Sequence, residues 1–170
     1  MNFLFKKIVR DDAQELKEVI EKSYINKYGN DYERKSDFKL FHVDYYIEKG
    51  TSNIAILKTE KEIKCFAIYK EISEEQILED FESVLNEYSE VEINGINRYI
   101  SDISKNGIYI EYIESFESGC GAVMIDKLIS LHKNIILYAD IDACGFWDKM
   151  NFKNIFGYNY MYESKQKEES

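Results

Sequence analysis

The stretch that decides the fold reads Ile108-Tyr109-Ile110-Glu111-Tyr112-Ile113, then Phe116-Glu117-Ser118-Gly119-Cys120-Gly121-Ala122. Its first part is rich in β-branched and aromatic residues, which suit a pleated surface, and predicts a strand. Two glycines one residue apart let backbone N–H groups approach a ligand with no Cβ in the way. Met124, Ile125, Leu128, Ile129 and Leu131 then share one face of a predicted helix. A strand feeding a glycine turn that opens a helix is an anion site by construction, because unpaired N–H groups and the helix dipole point the same way. A second apolar strand, Ile135-Ile136-Leu137-Tyr138-Ala139-Asp140, and a short aromatic helix complete the run over residues 107–152.

The order strand, Gly119-Cys120-Gly121 turn, helix, strand, followed by Ala143-Cys144-Gly145-Phe146-Trp147-Asp148-Lys149-Met150-Asn151-Phe152, resembles the second half of a GNAT-superfamily N-acetyltransferase. The likeness lies in residues over this stretch and in topology elsewhere. It implies an α/β fold of mixed α+β type, with a central, largely antiparallel sheet, splayed in the middle and flanked by helices. It also implies acetyl-CoA-dependent transfer of an acetyl group to an amine, by direct attack in a ternary complex. The alternative is a non-catalytic CoA-binding module of the same fold, a sensor or scaffold. Three positions depart from the pattern. Phe116 stands where the family usually has Arg or Gln, and Trp147 where it often has a Tyr that serves as general acid. Asn151 replaces a usual Gly, a mild change because Asn tolerates the left-handed conformation.

Acyl transfer from a thioester needs the pyrophosphate held, the carbonyl polarised and the amine neutral. The resemblance assigns the pyrophosphate to backbone N–H groups of Ser118, Gly119, Cys120, Gly121 and Ala122. The pantetheine arm then lies along backbone groups of Glu111, Tyr112 and Ile113, with Trp147 completing the cofactor-binding set. An alkylamine titrates at about 10, so a base must take its proton. Glu111 is the first candidate, ahead of Glu114 and Asp140; its competing reading is a strand carboxylate held in an ion pair. An indole is too weak an acid to protonate a thiolate, so Tyr138, Tyr158 or Tyr160 substitutes, or the thiolate leaves unprotonated. Cys120 reads as a bystander, with no His near it in sequence.

A dinucleotide-binding fingerprint is the rival reading of the same turn, with Asp140 closing the next strand about 20 residues on. Against it, Met124 occupies the third glycine position, and only about 30 residues follow Asp140, too few for the rest of a doubly wound sheet.

Composition narrows the classes. A chain of 170 residues with 45% hydrophobic and 15% aromatic content can bury a core and suits one domain. The formal net charge of −10 argues against nucleic acid and favours a small-molecule or protein amine as acceptor. Cys65, Cys120 and Cys144 form no C-x-x-C pair and no cluster with His42 or His132, so neither zinc nor a disulfide framework is implied. Reduced thiols, no leader pattern and no apolar run of membrane length predict a soluble, cytoplasmic protein. A homodimer stays open.

Along the chain, residues 5–10 predict a first strand, and Asp12 with Glu15 predicts a capping box that opens a helix. A second helix is expected from Ser36, with Phe38, Phe41 and Tyr45 inward; the resemblance implies that these two helices line the acceptor side. Residues 53–58 and 63–69 predict a hairpin. Residues 73–106, with a patterned helix and an Asn94-Gly95 turn, read as an insertion whose alternatives are packing helix, lid or dimer contact. Residues 156–162 predict one last strand, and the single domain over 1–163 ends in a frayed tail at 164–170.

Overall fold

A continuous apolar run in each arm of a hairpin builds a sheet buried on both faces, and the computed structural model shows this at its first unit. Residues 1–72, 107–132, 134–156 and 159–163 are described. The chain divides into two units, Met1–Lys70 with Ile110–Asp126, and Glu71–Tyr109 with Lys127–Ser170.

In the first unit, β1 (Asn2–Lys7) pairs antiparallel with β2 (Asn53–Lys58), Phe3 opposite Leu57 and Lys7 opposite Asn53. β2 pairs antiparallel with β3 (Ile63–Glu71) through the expected hairpin, closed by the Thr59 N–H donating to the Glu62 carbonyl at 2.9 Å. Leu57 faces Cys65 while Lys58 faces Ile63, so Lys64 is the extra residue of a bulge. The order continues to β4 (Gly107–Ser115) beside β3. Ile54, Ile56, Phe66 and Ile68 point to one face of β2 and β3, and Ala55, Leu57, Cys65 and Ala67 to the other, all of them buried.

Two helices cover the first of those faces. α1 (Arg10–Tyr28) brings Leu16, Ile20 and Tyr24, and α2 (Tyr32–Lys49) brings Val43, to one core with Ile54, Ile56, Phe66 and Ile68. A 3-10 turn, Gly29–Asp31, joins them. Three expectations are corrected here. The first strand is Asn2–Lys7 rather than residues 5–10, and the helix starts a turn earlier than read. Asp12 is therefore its third residue, not its cap, although its carboxylate does accept the Val9 N–H at 2.9 Å and pairs with Lys6. The second helix begins at Tyr32; Ser36 lies inside it, its hydroxyl donating to the Glu33 carbonyl at 3.2 Å.

A further correction concerns the face of α2. Phe41 and Tyr45 are 64% and 46% exposed, while Val43 is buried and Leu40, Tyr46 and Ile47 pack against the core. This helix carries apolar residues on two faces, and the sheet takes the aliphatic one; the Phe38 side chain lies outside the description.

α3 (Cys120–Leu131) follows the glycine turn, with Cys120, Met124, Ile125 and Leu128 buried as the periodicity predicts, and Leu131 exposed at its end. In the second unit β5 (Asn134–Tyr138) pairs antiparallel with β7 (Asn159–Glu163), which pairs antiparallel with β6 (Lys153–Phe156). The expected single last strand is thus two strands. The aromatics at 156, 158, 160 and 162 keep a period of two straight through the chain reversal, so alternation hid it, and only Gly157 marked it. Between β5 and β6 runs α4 (Cys144–Lys149), followed by Asn151 at φ 62°, the left-handed conformation that Asn tolerates.

The expected mixed α/β class with a mostly antiparallel sheet is therefore what the chain has. The readings at 73–106 and 164–170 lie outside the described residues. Among those described, no helix is long and apolar enough to cross a membrane, and no group of three His, Cys, Asp or Glu side chains is placed to hold a metal.

Candidate functional site

The turn after β4 is fixed by its own backbone. The Phe116 N–H donates to the Lys64 carbonyl at 2.9 Å, anchoring the end of the strand. The Cys120 N–H donates to the Glu117 carbonyl at 3.2 Å, and the Val123 N–H to the Gly119 carbonyl at 3.1 Å, so α3 starts on Gly119. Gly119 has φ +84°, and a Cβ added there would meet nothing within 4 Å. Conformation, not crowding, requires the glycine.

Of the five amides expected to face an anion, that of Cys120 is spent within the turn. Those of Ser118, Gly119, Gly121 and Ala122 have no protein acceptor among the described residues. They belong to exposed or half-buried residues at the positive end of a helix of 12 residues. Phe116, where a basic residue was absent, turns its ring to Phe66 at 6.0 Å instead.

Upstream, β4 breaks the alternation of a regular strand. The Glu111 carboxylate reaches Lys70 and the Tyr112 ring reaches Phe66, although Lys70 and Phe66 lie on the same face of β3. Side chains of two consecutive residues thus reach partners on one face of β3. The Glu111 carbonyl accepts the Tyr46 hydroxyl at 3.1 Å. Tyr112 stacks on His42 at 5.8 Å and donates its hydroxyl to Glu114 at 2.6 Å.

The Glu111 side chain is only 3% exposed, and Ser52 donates to its Oε2. Lys70 and Lys49 bring their ammonium groups to 3.8 and 4.0 Å from Oε1. Sequence reasoning missed all four partners, Tyr46, Lys49, Ser52 and Lys70, since none lies near Glu111 in the chain. One signal was present: Lys70 follows the apolar run over residues 65–69, and a lysine buried there requires a counter-charge.

The remaining carboxylate and thiol candidates are structurally occupied. Glu114 lies 4.0 Å from Lys39 and accepts from Tyr112. Burial first, and then Glu114, pushes the Tyr24 phenol up to about 12. Burial first, and then Cys120, pushes the Cys65 thiol up to about 12. Cys120 is itself buried, consistent with a bystander.

Within the second unit, the indole of Trp147 is 3% exposed and packs edge-on against Phe146 at 4.9 Å and Phe152 at 5.1 Å. The Asp140 carbonyl accepts the Ala143 N–H at 2.8 Å, as part of the turn into α4. Tyr138 is exposed, whereas Tyr160 is buried and a hydrogen bond with Cys144 holds its phenol above the usual value. Tyr158 lies outside the described residues.

No family model and no curated protein matches the chain. Solved structures do. GCN5 of Tetrahymena is 8% identical with a TM-score of 0.55, over 96% of this chain and 96% of that one. A GNAT-family acetyltransferase from Brucella melitensis, in complex with acetyl-CoA, is 12% identical with a TM-score of 0.50, over 95% of this chain and 88% of that one. At such identities the likeness is one of architecture: the chain has the fold of the GNAT superfamily.

Proposed function

We propose that this chain is an acetyl-CoA-dependent N-acetyltransferase that moves an acetyl group onto an amine of a small-molecule or protein acceptor, by direct attack in a ternary complex. The observation that carries the reading is the turn at Gly119, where four amides at the N-terminus of α3 have no protein acceptor among the described residues. A pyrophosphate satisfies those donors and meets the helix dipole, with no basic side chain required. Acetyl-CoA, when bound, supplies the activated acyl group and a thiolate leaving group.

In this reading the Glu111 amide and the backbone groups of Tyr112 and Ile113 take the pantetheine amides and polarise the thioester carbonyl, while the Glu111 carbonyl stays with Tyr46. The acceptor nitrogen forms the new N–C bond as the C–S bond breaks, and the bonding pair departs on sulfur. Glu111 takes the amine proton at Oε1, the oxygen not bonded to Ser52; its two ammonium neighbours stand beyond hydrogen-bond length. A thiolate of pKa about 8.5 departs without a general acid. Trp147 packs against Phe152 within its own unit, and Tyr160, held in its neutral form, is a poor substitute acid. The free thiols of Cys65, Cys120 and Cys144 fit a reducing compartment such as the cytoplasm.

The test follows CoA release with a thiol reagent over a panel of primary amines and a pH series. Turnover that climbs with pH toward the amine pKa supports the reading, because only the neutral amine attacks. CoA binding with background rates on every amine would leave the non-catalytic CoA-binding module in its place.

A further inference from the structure

Outside the turn, a cavity of about 430 Å³ opens beside α1, within the range of small-molecule sites. Val19, Lys22, Ser23, Asn26 and Lys27 line it from the helix, at the i, i+3, i+4, i+7 and i+8 spacing of a single face. Ile63 and Phe116 join Val19 as its apolar surface. The charged part comes from Lys22, Lys27 and Lys64, against Glu62 alone. Three ammonium groups and one carboxylate make a positive lining in a chain whose net charge is −10, so the local sign runs against the protein's own.

The ion pairs sort these lysines. Lys64 lies 2.9 Å from Glu62 and 2.8 Å from Glu117, and Lys22 lies 3.5 Å from Glu62. Lys27 has no carboxylate partner among the described residues; its ammonium stands over the Tyr28 ring, 5.1 Å from the centroid. Ser23 and Asn26, four and one residues to its N-terminal side, likewise have no side-chain partner among them. One unclaimed positive charge with two neutral hydrogen-bonding groups beside it matches a single carboxylate, whose two oxygens accept from more than one donor.

We propose that this cavity binds a small carboxylate with an apolar body: the carboxylate meets Lys27, Ser23 and Asn26, and the body lies on Val19, Ile63 and Phe116. Binding there requires neither CoA nor turnover.

The full chain is titrated calorimetrically with 3-phenylpropionate, with phenethylamine (a similar body of opposite charge) and with inorganic phosphate. Saturable binding of phenylpropionate at one site per chain is expected, with the other two probes markedly weaker. Lys27→Gln should weaken phenylpropionate about tenfold, the scale of one charge-assisted hydrogen bond, and Lys27→Arg should retain it. Asn26→Trp, at an exposed helix position, should fill the cavity and abolish binding while the thermal midpoint holds. No saturable binding in the millimolar range overturns the proposal, as does an unchanged affinity in Lys27→Gln. Phenethylamine binding as well as the acid overturns the carboxylate, and phosphate binding as well overturns the apolar body. CoA titrated against the same variants separates failure here from failure of the glycine turn.

Discussion

Glu111 and Gly119 lie eight positions apart in one strand-and-turn unit, yet they stand at opposite extremes of commitment. Glu111, the proposed base, is enclosed by protein partners: Ser52, Lys49 and Lys70 surround its carboxylate, and Tyr46 holds its carbonyl. Gly119 has no side chain, and the backbone around it offers donors with no acceptor among the described residues. Residue type in a sequence advertises the first and hides the second. Binding capacity follows the unused groups, because only they gain a partner when a ligand arrives.

The largest test of that contrast places a charge in the turn. Gly121→Glu puts a carboxylate beside donors that are proposed to face phosphates, and like charges at contact cost several kcal/mol. CoA affinity should fall about a thousandfold by calorimetry. An unchanged affinity would remove the turn as the pyrophosphate site.

The next test asks how much of Glu111 is structural. Removing one partner of a buried ion cluster strands the others, so Glu111→Ala should lower the unfolding free energy by about 3 kcal/mol in urea. Lys49 is about a third exposed, which keeps the estimate at the low end of the range. Glu111→Gln keeps the shape and the Ser52 contact. If it holds stability but loses turnover, the carboxylate is the base; if both survive, the cluster is packing and the base lies elsewhere.

Much of this unit was legible in the chain. The strand, turn and helix over 107–131 declare themselves through β-branched alternation, two glycines and a 3.6-residue period, and the β2–β3 hairpin declares itself through its polar turn. That Glu111 and Tyr112 both reach β3 partners of one face was not legible, because an apolar pattern does not record which partner each side chain takes. The partners of Glu111 were hidden by distance, the Ser52 contact spanning 59 positions and the Tyr46 contact 65. The start of α2 was hidden because no side-chain cap marks it.

A smaller effect isolates conformation from contact in the turn. At φ +84° with nothing within 4 Å of a new Cβ, Gly119→Ala meets strain but no clash. It should cost about 1–2 kcal/mol of stability, measured in urea, the usual penalty for a side chain in the left-handed region. A loss well above this would mean that the helix start rearranges.

The last effect appears only in alkali, and its sign follows from burial. Tyr24 is raised from 10.0 to about 12 in the folded chain, chiefly because desolvation disfavours the phenolate. The unfolded chain therefore releases this proton first, from about pH 10, while the folded chain holds it until about 12. Between those values the unfolded state binds fewer protons than the native one, so stability must fall as pH rises. Cys65, raised from 9.0 to about 12 by burial, adds a loss of the same sign that begins lower. Stability in urea should be level from neutrality to about pH 9 and decline beyond it. Tyr24→Phe should remove the part of the slope that starts near pH 10 and leave the part belonging to Cys65, whereas Cys65→Ala should do the reverse. A wild-type profile flat to pH 12 would mean that both groups are solvated in the native chain, and that the core under α1 is looser than its buried Leu16, Ile20 and Phe66 indicate.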